Sequence, residues 1–298
     1  MLRQDKSGMI YATLAYFLWG LLPIYWKLVD RVPAIEILAH RVVWSFVFMS
    51  ALVILLRKNK AFFRDFKALL QNKKQTLGMA LASIMISINW LTYIWAVNSD
   101  HVVQASLGYY INPLVSILLG VIVLREKLSR RQMVSFMLAA IGVLYLTFSY
   151  GVFPWISILL AVSFGLYGLL KKTVQIGSVF GLTIETMFVA PIAVIFLLTT
   201  EGPAFTFETA TTPTGLILIG AGAATAIPLL LFASGARRIP LSMIGFLQYL
   251  APTIMLILGV FVYGEVFSQA HLIAFSLIWT ALFIYMGSAL KVKGKQTT

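Results

Sequence analysis

One stretch of this chain occurs twice. Ser106 to Lys127 reads SLGYYINPLVSILLGVIVLREK, and Gly245 to Val266 reads GFLQYLAPTIMLILGVFVYGEV. Displacing the first by 139 positions lays Tyr110 on Tyr249, Pro113 on Pro252, Gly120 on Gly259, Val121 on Val260 and Glu126 on Glu265. Both copies run aromatic, proline, apolar segment, glycine, apolar segment, glutamate. Apolar segments this long and this free of charge call for lipid as their solvent. Their duplication means that what the first half builds, the second half builds again.

Composition agrees. Of 298 residues, 60% are hydrophobic and 11% charged, against roughly half and a quarter in a soluble domain. In hydrocarbon every backbone polar group must be satisfied internally, which leaves helices or a closed barrel. A barrel would alternate polar and apolar residues over ~10-residue segments, and these segments do not alternate. Spans are expected at 8–29, 34–56, 76–97, 101–124, 130–149, 152–171, 178–200, 213–235, 239–263 and 268–290. The chain therefore reads as an all-α integral membrane protein with ten transmembrane helices. Its first apolar run, after Arg3 and Lys6, is long and is followed by others, so it reads as a retained span rather than a signal peptide.

Basic residues set the orientation. With the N-terminus inside, 20 Lys and Arg fall in inner segments, in clusters at 3–6, 57–74, 125–131, 171–172, 237–238 and 291–295. Only Lys27 and Arg31 fall outside, and Arg41 lies within a span. That asymmetry places both termini in the cytoplasm of a multi-pass protein of the cell inner (plasma) membrane. It also accounts for the net charge of +13 without a nucleic-acid partner, since the bases form short clusters at span ends. Within the 57–75 connection, Phe62, Phe63, Phe66, Leu69 and Leu70 recur at helical spacing among bases. This is the pattern of an amphipathic helix lying on the anionic leaflet.

The repeat reaches beyond the opening stretch. Ile35-Glu36 matches Ile184-Glu185, and Trp19-Gly20 matches Tyr167-Gly168. Five spans per half is odd, so the halves, 1–149 and 150–298, lie inverted in the membrane. Inverted repeats are the architecture of alternating-access transporters, with substrate held near the midplane between them. A lipid bilayer and a small-molecule substrate are the partners implied, and a monomer suffices for such an arrangement.

These segments resemble the drug/metabolite transporter superfamily, built of two EamA-type repeats, and most closely its RarD group. The resemblance rests on PAIEILAHRVVWSF (33–46), NWLTYIWAVN (89–98), ASLGYYINPLVSILLG (105–120) with Arg125-Glu126, IETM (184–187), and GFLQYLAPT (245–253) with Tyr263-Gly264-Glu265. It implies a secondary permease exporting small organic metabolites or amphipathic drugs, with a central cavity lined by spans 1, 3, 4, 6, 8 and 9. The RarD group is described as permeases linked to chloramphenicol sensitivity.

Polar and aromatic residues on those spans are the candidates for a binding surface. They are Trp19, Asn89, Trp90, Tyr93, Ser106, Tyr110, Asn112, Tyr167, Gln248 and Tyr249. Aromatic walls carrying a few amides and hydroxyls suit a small amphipathic molecule; the alternative is plain packing or an interfacial belt. Between the copies, Asn112 is matched by Ala251, Gly108 by Leu247 and Tyr109 by Gln248, so any pathway is expected to be asymmetric there. Charges inside spans are costly and usually face protein or a water-filled cavity. Glu36, His40 and Arg41 on span 2, and Glu185 on span 7, are therefore gating or proton-coupling candidates. Glu36 and His40 stand one helical turn apart, and Glu36 and Glu185 are expected at comparable depths from opposite faces. The alternative is a set of mutually satisfied structural charges. Pro113, Pro228 and Pro252 are hinge candidates, because a membrane proline frees a carbonyl and bends its helix. Glu126 and Glu265 read as helix-end anchors.

No Walker sequence, nucleophile elbow or zinc-binding helix appears, and His40, His101 and His271 are scattered. No cofactor, metal or catalytic set is expected. Transport outweighs an intramembrane enzyme, which would need converged acid–base groups. It also outweighs a non-transporting scaffold, which would need soluble loops. A proton-independent facilitator or exchanger is the nearest alternative.

Overall fold

Helix starts are written plainly in this sequence. Asp5 accepts from the Ser7 and Gly8 amides, Asn72 from Gln75 and Thr212 from Gly215, the last with Pro213 as the first helical residue. Ser129 and Gln132 form a reciprocal capping box. The computed structural model describes residues 5–99, 101–151, 153–200, 211–264 and 267–294. Its helices are α1 (Lys6–Lys27), α2 (Ala34–Leu55), α3 (Asn59–Gln71), α4 (Lys73–Asn98), α5 (Val102–Ile122) and α6 (Arg130–Ser149). They continue as α7 (Trp155–Thr173), α8 (Ser178–Thr199), α9 (Pro213–Ala236), α10 (Leu241–Gln248), α11 (Leu250–Phe261) and α12 (Gln269–Gly294). Among the described residues, ten segments are long and apolar enough to cross a bilayer, with α10 and α11 forming one of them. Large apolar side chains such as Phe148, Ile192, Leu198 and Phe283 are exposed, as befits a surface solvated by lipid.

The two halves interlock. α1 packs on α9 and α11, and its counterpart α7 packs on α4 and α5. α2 packs on α9 as α8 packs on α4, while α2–α8, α5–α10 and α6–α12 pair counterpart with counterpart. Contacts therefore come in sets related by the repeat. Small residues permit the closest approaches, as expected where packing rather than water drives association. A Cβ on Gly222 of α9 would overlap the Trp44 backbone of α2, and there Ser45 Oγ donates to the Gly222 carbonyl at 3.1 Å. A Cβ on Gly245 would stand 2.6 Å from the Pro113 carbonyl oxygen.

The duplicated stretch does not fold identically in its two places. α5 runs through Pro113 without a break, as α9 does through Pro228. The span expected at 239–263 is instead two helices meeting at Tyr249. Pro252 has no N–H for the Gln248 carbonyl. The Tyr249 amide reaches back only to Phe246, at 3.4 Å, and Thr253 resumes the ladder with both its amide and its hydroxyl on the Tyr249 carbonyl. Both copies end in a left-handed residue, Arg125 (φ 54°) in the first and Gly264 (φ 69°) in the second. At Arg125 this reversal turns Glu126 back onto the start of α10. The Glu126 carboxylate accepts from the Leu241 amide (2.7 Å), the Ser242 amide (2.8 Å) and the Ser242 hydroxyl (2.6 Å). Glu126 is thus the helix-end anchor expected, and it ties one half to the other. Glu265 lies outside the described residues.

The amphipathic connection forms α3. Its Phe62 and Leu69 are buried in a cluster with Val53, Met79, Val174, Phe180 and Ile184, while Phe63 is 68% exposed. α3 therefore docks part of its apolar face on the basic end of the bundle and leaves part uncovered.

Candidate functional site

Where the halves meet, five aromatic side chains fill the middle of the bundle. Trp19 packs against Tyr16, Phe164 and Phe232, and Tyr167 stacks on Phe232 with centroids 5.9 Å apart. Beside them lies a small central cavity lined by Val42, Ile86 and Trp90 of the first half and Tyr167, Leu182, Glu185, Thr186, Val189 and Leu229 of the second. Its volume of about 10 Å³ is room for roughly one water. The lining comes from α2, α4, α7, α8 and α9, so α2 and α8 take places that the family resemblance assigned to other spans.

Glu185 projects into this cavity from two turns inside α8. It is 2% exposed and forms an ion pair with Lys171 Nζ at 2.8 Å, while its second oxygen accepts from the Tyr167 hydroxyl at 3.0 Å. A second small cavity toward the basic end is lined by Met79, Ala82, Lys171, Val174 and Glu185, among others. The pair thus stands between the two cavities. Lys171, counted in the sequence among the inner-face bases, sits in the last turn of α7 but is 6% exposed and turned inward. Its neighbour Lys172 remains at the end of α7 and donates to the Ala236 and Ile239 carbonyls.

Arg41 occupies the other end. Its guanidinium lies over the Trp26 ring at 4.7 Å and near the Trp90 ring at 5.8 Å, and its Nε donates to Thr225 Oγ1 at 3.1 Å. Tyr93 and Tyr109 pack edge to face nearby, with ring centroids 6.1 Å apart. Among the described residues no carboxylate pairs with Arg41, and the Nε bond is its one hydrogen bond.

The expected Glu36–His40–Arg41 grouping does not assemble. His40 Nδ1 accepts from Trp44 Nε1 at 3.2 Å, Arg41 turns to α1, α4 and α9, and Glu36 is half-buried in the first turn of α2. Glu36 and Glu185 also differ in how far they stand from the starts of their helices. Glu36 is two residues past Ala34, whereas Glu185 is seven past Ser178, because α8 begins earlier relative to the matched Ile-Glu pair. At 1.5 Å per residue the difference is about 7 Å.

The other candidates divide. Trp19, Trp90 and Tyr167 lie at the cavity or in the aromatic cluster beside it. Tyr93 belongs to the surroundings of Arg41. Asn89 is engaged in holding α4 to α7, donating to the Leu160 carbonyl (2.9 Å) and Ser163 Oγ (3.1 Å). Gln248 accepts from Ser116 across the α5–α10 junction at 3.1 Å. Tyr110 packs edge-on against Phe275 of α12, and Tyr249 is buried in the same α6–α12 side of the bundle. That side is apart from the central cavity. Asn112 and Tyr249 are buried, each with a side-chain oxygen lacking a hydrogen-bond partner among the described residues. Ser106 is exposed. Trp26, Thr225 and Lys171 also belong to the site, beyond the residues that the sequence pattern marks. Thr225 had a readable signal, as the sole hydroxyl in the small-residue run from Gly220 to Pro228.

The chain matches the EamA-like transporter family twice, over residues 6–148 and 154–287. It is 49% identical to the Bacillus subtilis protein called uncharacterized transporter YojE, over 97% of each chain. It is 42% identical to protein RarD of Salmonella typhimurium, over 99% of each. The chloramphenicol-sensitive protein RarD of Pseudomonas aeruginosa is 25% identical over 99% of this chain and 98% of its own. A crystal structure 18% identical to this chain superposes with a TM-score of 0.72, covering 97% of this chain and 99% of the other. That likeness concerns the fold alone.

Proposed function

The chain belongs to the EamA-like transporter family, and from that premise we propose that it is a secondary exporter of small organic molecules working by alternating access. The observation that supports this reading most is the central cavity, lined by residues of both halves, 1–149 and 150–298. At about 10 Å³ the cavity is too small for an organic solute, which calls for ~300 Å³ or more. Binding therefore requires the halves to separate on one side while staying closed on the other. Counterpart contacts of similar kind at the two ends make the two open states comparable in energy.

Glu126, bonded to the start of α10, is a tie between the halves near the basic end, and the Lys171–Glu185 pair blocks the way from that end to the cavity. These groups, with the Pro252 break in α10–α11, form the inner gate of the proposed cycle. Glu36 is the in-span carboxylate without an ion-pair partner among the described residues. That favours Glu36 over Glu185 as the group exchanging protons with the outer face.

Two experiments test the reading. Metabolites in the medium of deleted and overexpressing cells should differ in one or a few small organic solutes; no difference across a broad screen counts against export. Counterflow of such a solute in proteoliposomes should vary with internal pH. A flat response removes the proton and leaves a facilitator.

A further inference from the structure

An arginine inside a transmembrane helix ordinarily pairs with an acid or faces a polar pathway, because a bare cation in hydrocarbon is costly. Arg41 has no such acid among the described residues. Its surroundings hold it rather than neutralise it. Trp26 and Trp90 offer ring faces at 4.7 and 5.8 Å, and Thr225 fixes Nε at 3.1 Å. With Nε engaged, the two Nη groups form the remaining fork, and that fork matches the two oxygens of a carboxylate. The place adjoins the central cavity across one side chain: Trp90, whose ring lies 5.8 Å from the guanidinium, lines the cavity, and so does Val42, the next residue along α2.

Resting on the transport reading above, we propose that Arg41 binds the carboxylate of the transported solute, and that the substrate class is small organic monocarboxylates with an apolar or aromatic body. One charge is all the site balances. The buried cation at the opposite approach, Lys171, is already neutralised by Glu185 at 2.8 Å, so a dianion would bring a charge with no partner. The rest of the solute meets Ile86, Leu182, Val189 and Leu229, which favour an apolar body. In the repeat, with Glu36 laid on Glu185, the position of Arg41 falls on Ala190, not on a base. The anion site thus exists once, toward the end where α2 begins. A solute drawn from the cavity toward Arg41 moves toward the face that the charge pattern places outside.

The test uses the full chain in lipid nanodiscs and two pairs of probes, benzoate with benzamide and 3-phenylpropionate with 3-phenylpropionamide. Each acid should bind about tenfold or more tightly than its amide, the scale of a charge-assisted fork. R41Q should erase that preference, leaving acid and amide bound alike. R41K should keep part of it, charge without fork. T225V should reduce it by freeing Nε. Equal affinity of acid and amide, including failure of both acids to bind, overturns the proposal, as does an acid preference that survives R41Q in monodisperse protein. If R41Q does not fold, R41K and T225V decide: unchanged preference in both overturns it. Acid preference without exchange of any solute in proteoliposomes would overturn the transport reading alone. Exchange of neutral solutes without acid preference would overturn the Arg41 site alone.

Discussion

Arg41 and Glu185 stand at equal depth on counterpart helices, each seven residues past the first residue of its helix, Ala34 in α2 and Ser178 in α8. The helices enter from opposite ends, so the two charges mark opposite approaches to one cavity. Each is about 10 Å from its own end, by the helix rise. Their settings differ: Glu185 is paired with a lysine, whereas Arg41 is held by two tryptophans and a threonine. An architecture of repeats is thereby made chemically asymmetric.

The buried pair carries a stability expectation. Removing one partner leaves the other charged and desolvated, at about 3–5 kcal/mol. E185Q should lower the thermal midpoint of the purified protein markedly, and K171M should do the same. The double variant should recover most of the loss, because no charge is left unpaired. Additive losses in a thermal-shift series would show that the pair is not coupled.

Gly222 makes a geometric prediction. G222A places a methyl into the Trp44 backbone and should force α2 and α9 apart, destabilising by about 2 kcal/mol or more, as overpacking does. Gly177 faces open space with an ordinary φ, so G177A should shift the midpoint little. Comparable midpoints for the two variants would contradict the close crossing.

Glu126 should restrain the inner end. E126A leaves the Leu241 and Ser242 amides without their acceptor, at about 1–3 kcal/mol. The chain has no cysteine, so Thr186→Cys in the cavity gives a single label site. E126A should raise its labelling by an impermeant maleimide applied from the basic face. Unchanged labelling would mean that this tie does not hold the inner end closed.

Orientation is open to the same chemistry. Lys74→Cys and Lys127→Cys should label only from the cytoplasm, and Asp30→Cys only from outside. The reverse pattern in intact cells and inverted vesicles would contradict the assignment from basic residues.

Much of the fold was legible because lipid imposes simple rules: long apolar runs, short connections and bases at one end. The repeat was legible in Tyr110/Tyr249 and Pro113/Pro252. The same pair shows the limit, since a proline motif reads alike in continuous α5 and in the broken α10–α11 span. Local pattern cannot report the tertiary support that decides between them. The site was less legible. Lys171 looked like any interfacial base because its inward turn depends on Glu185, fourteen residues away on another helix. Arg41 stands out as a charge within a span, but its partners Trp26, Trp90 and Thr225 come from three other helices. Local spacing suggested Glu36 and His40 instead.

Thr186→Cys in sided proteoliposomes tests the alternating cavity most directly. Without further mutation, an impermeant maleimide added from either face alone should label the whole active population over time, because each molecule visits both open states. Protection by transported solute should be equal from the two sides. Labelling from one face only, or from neither, would contradict alternating access between the two halves.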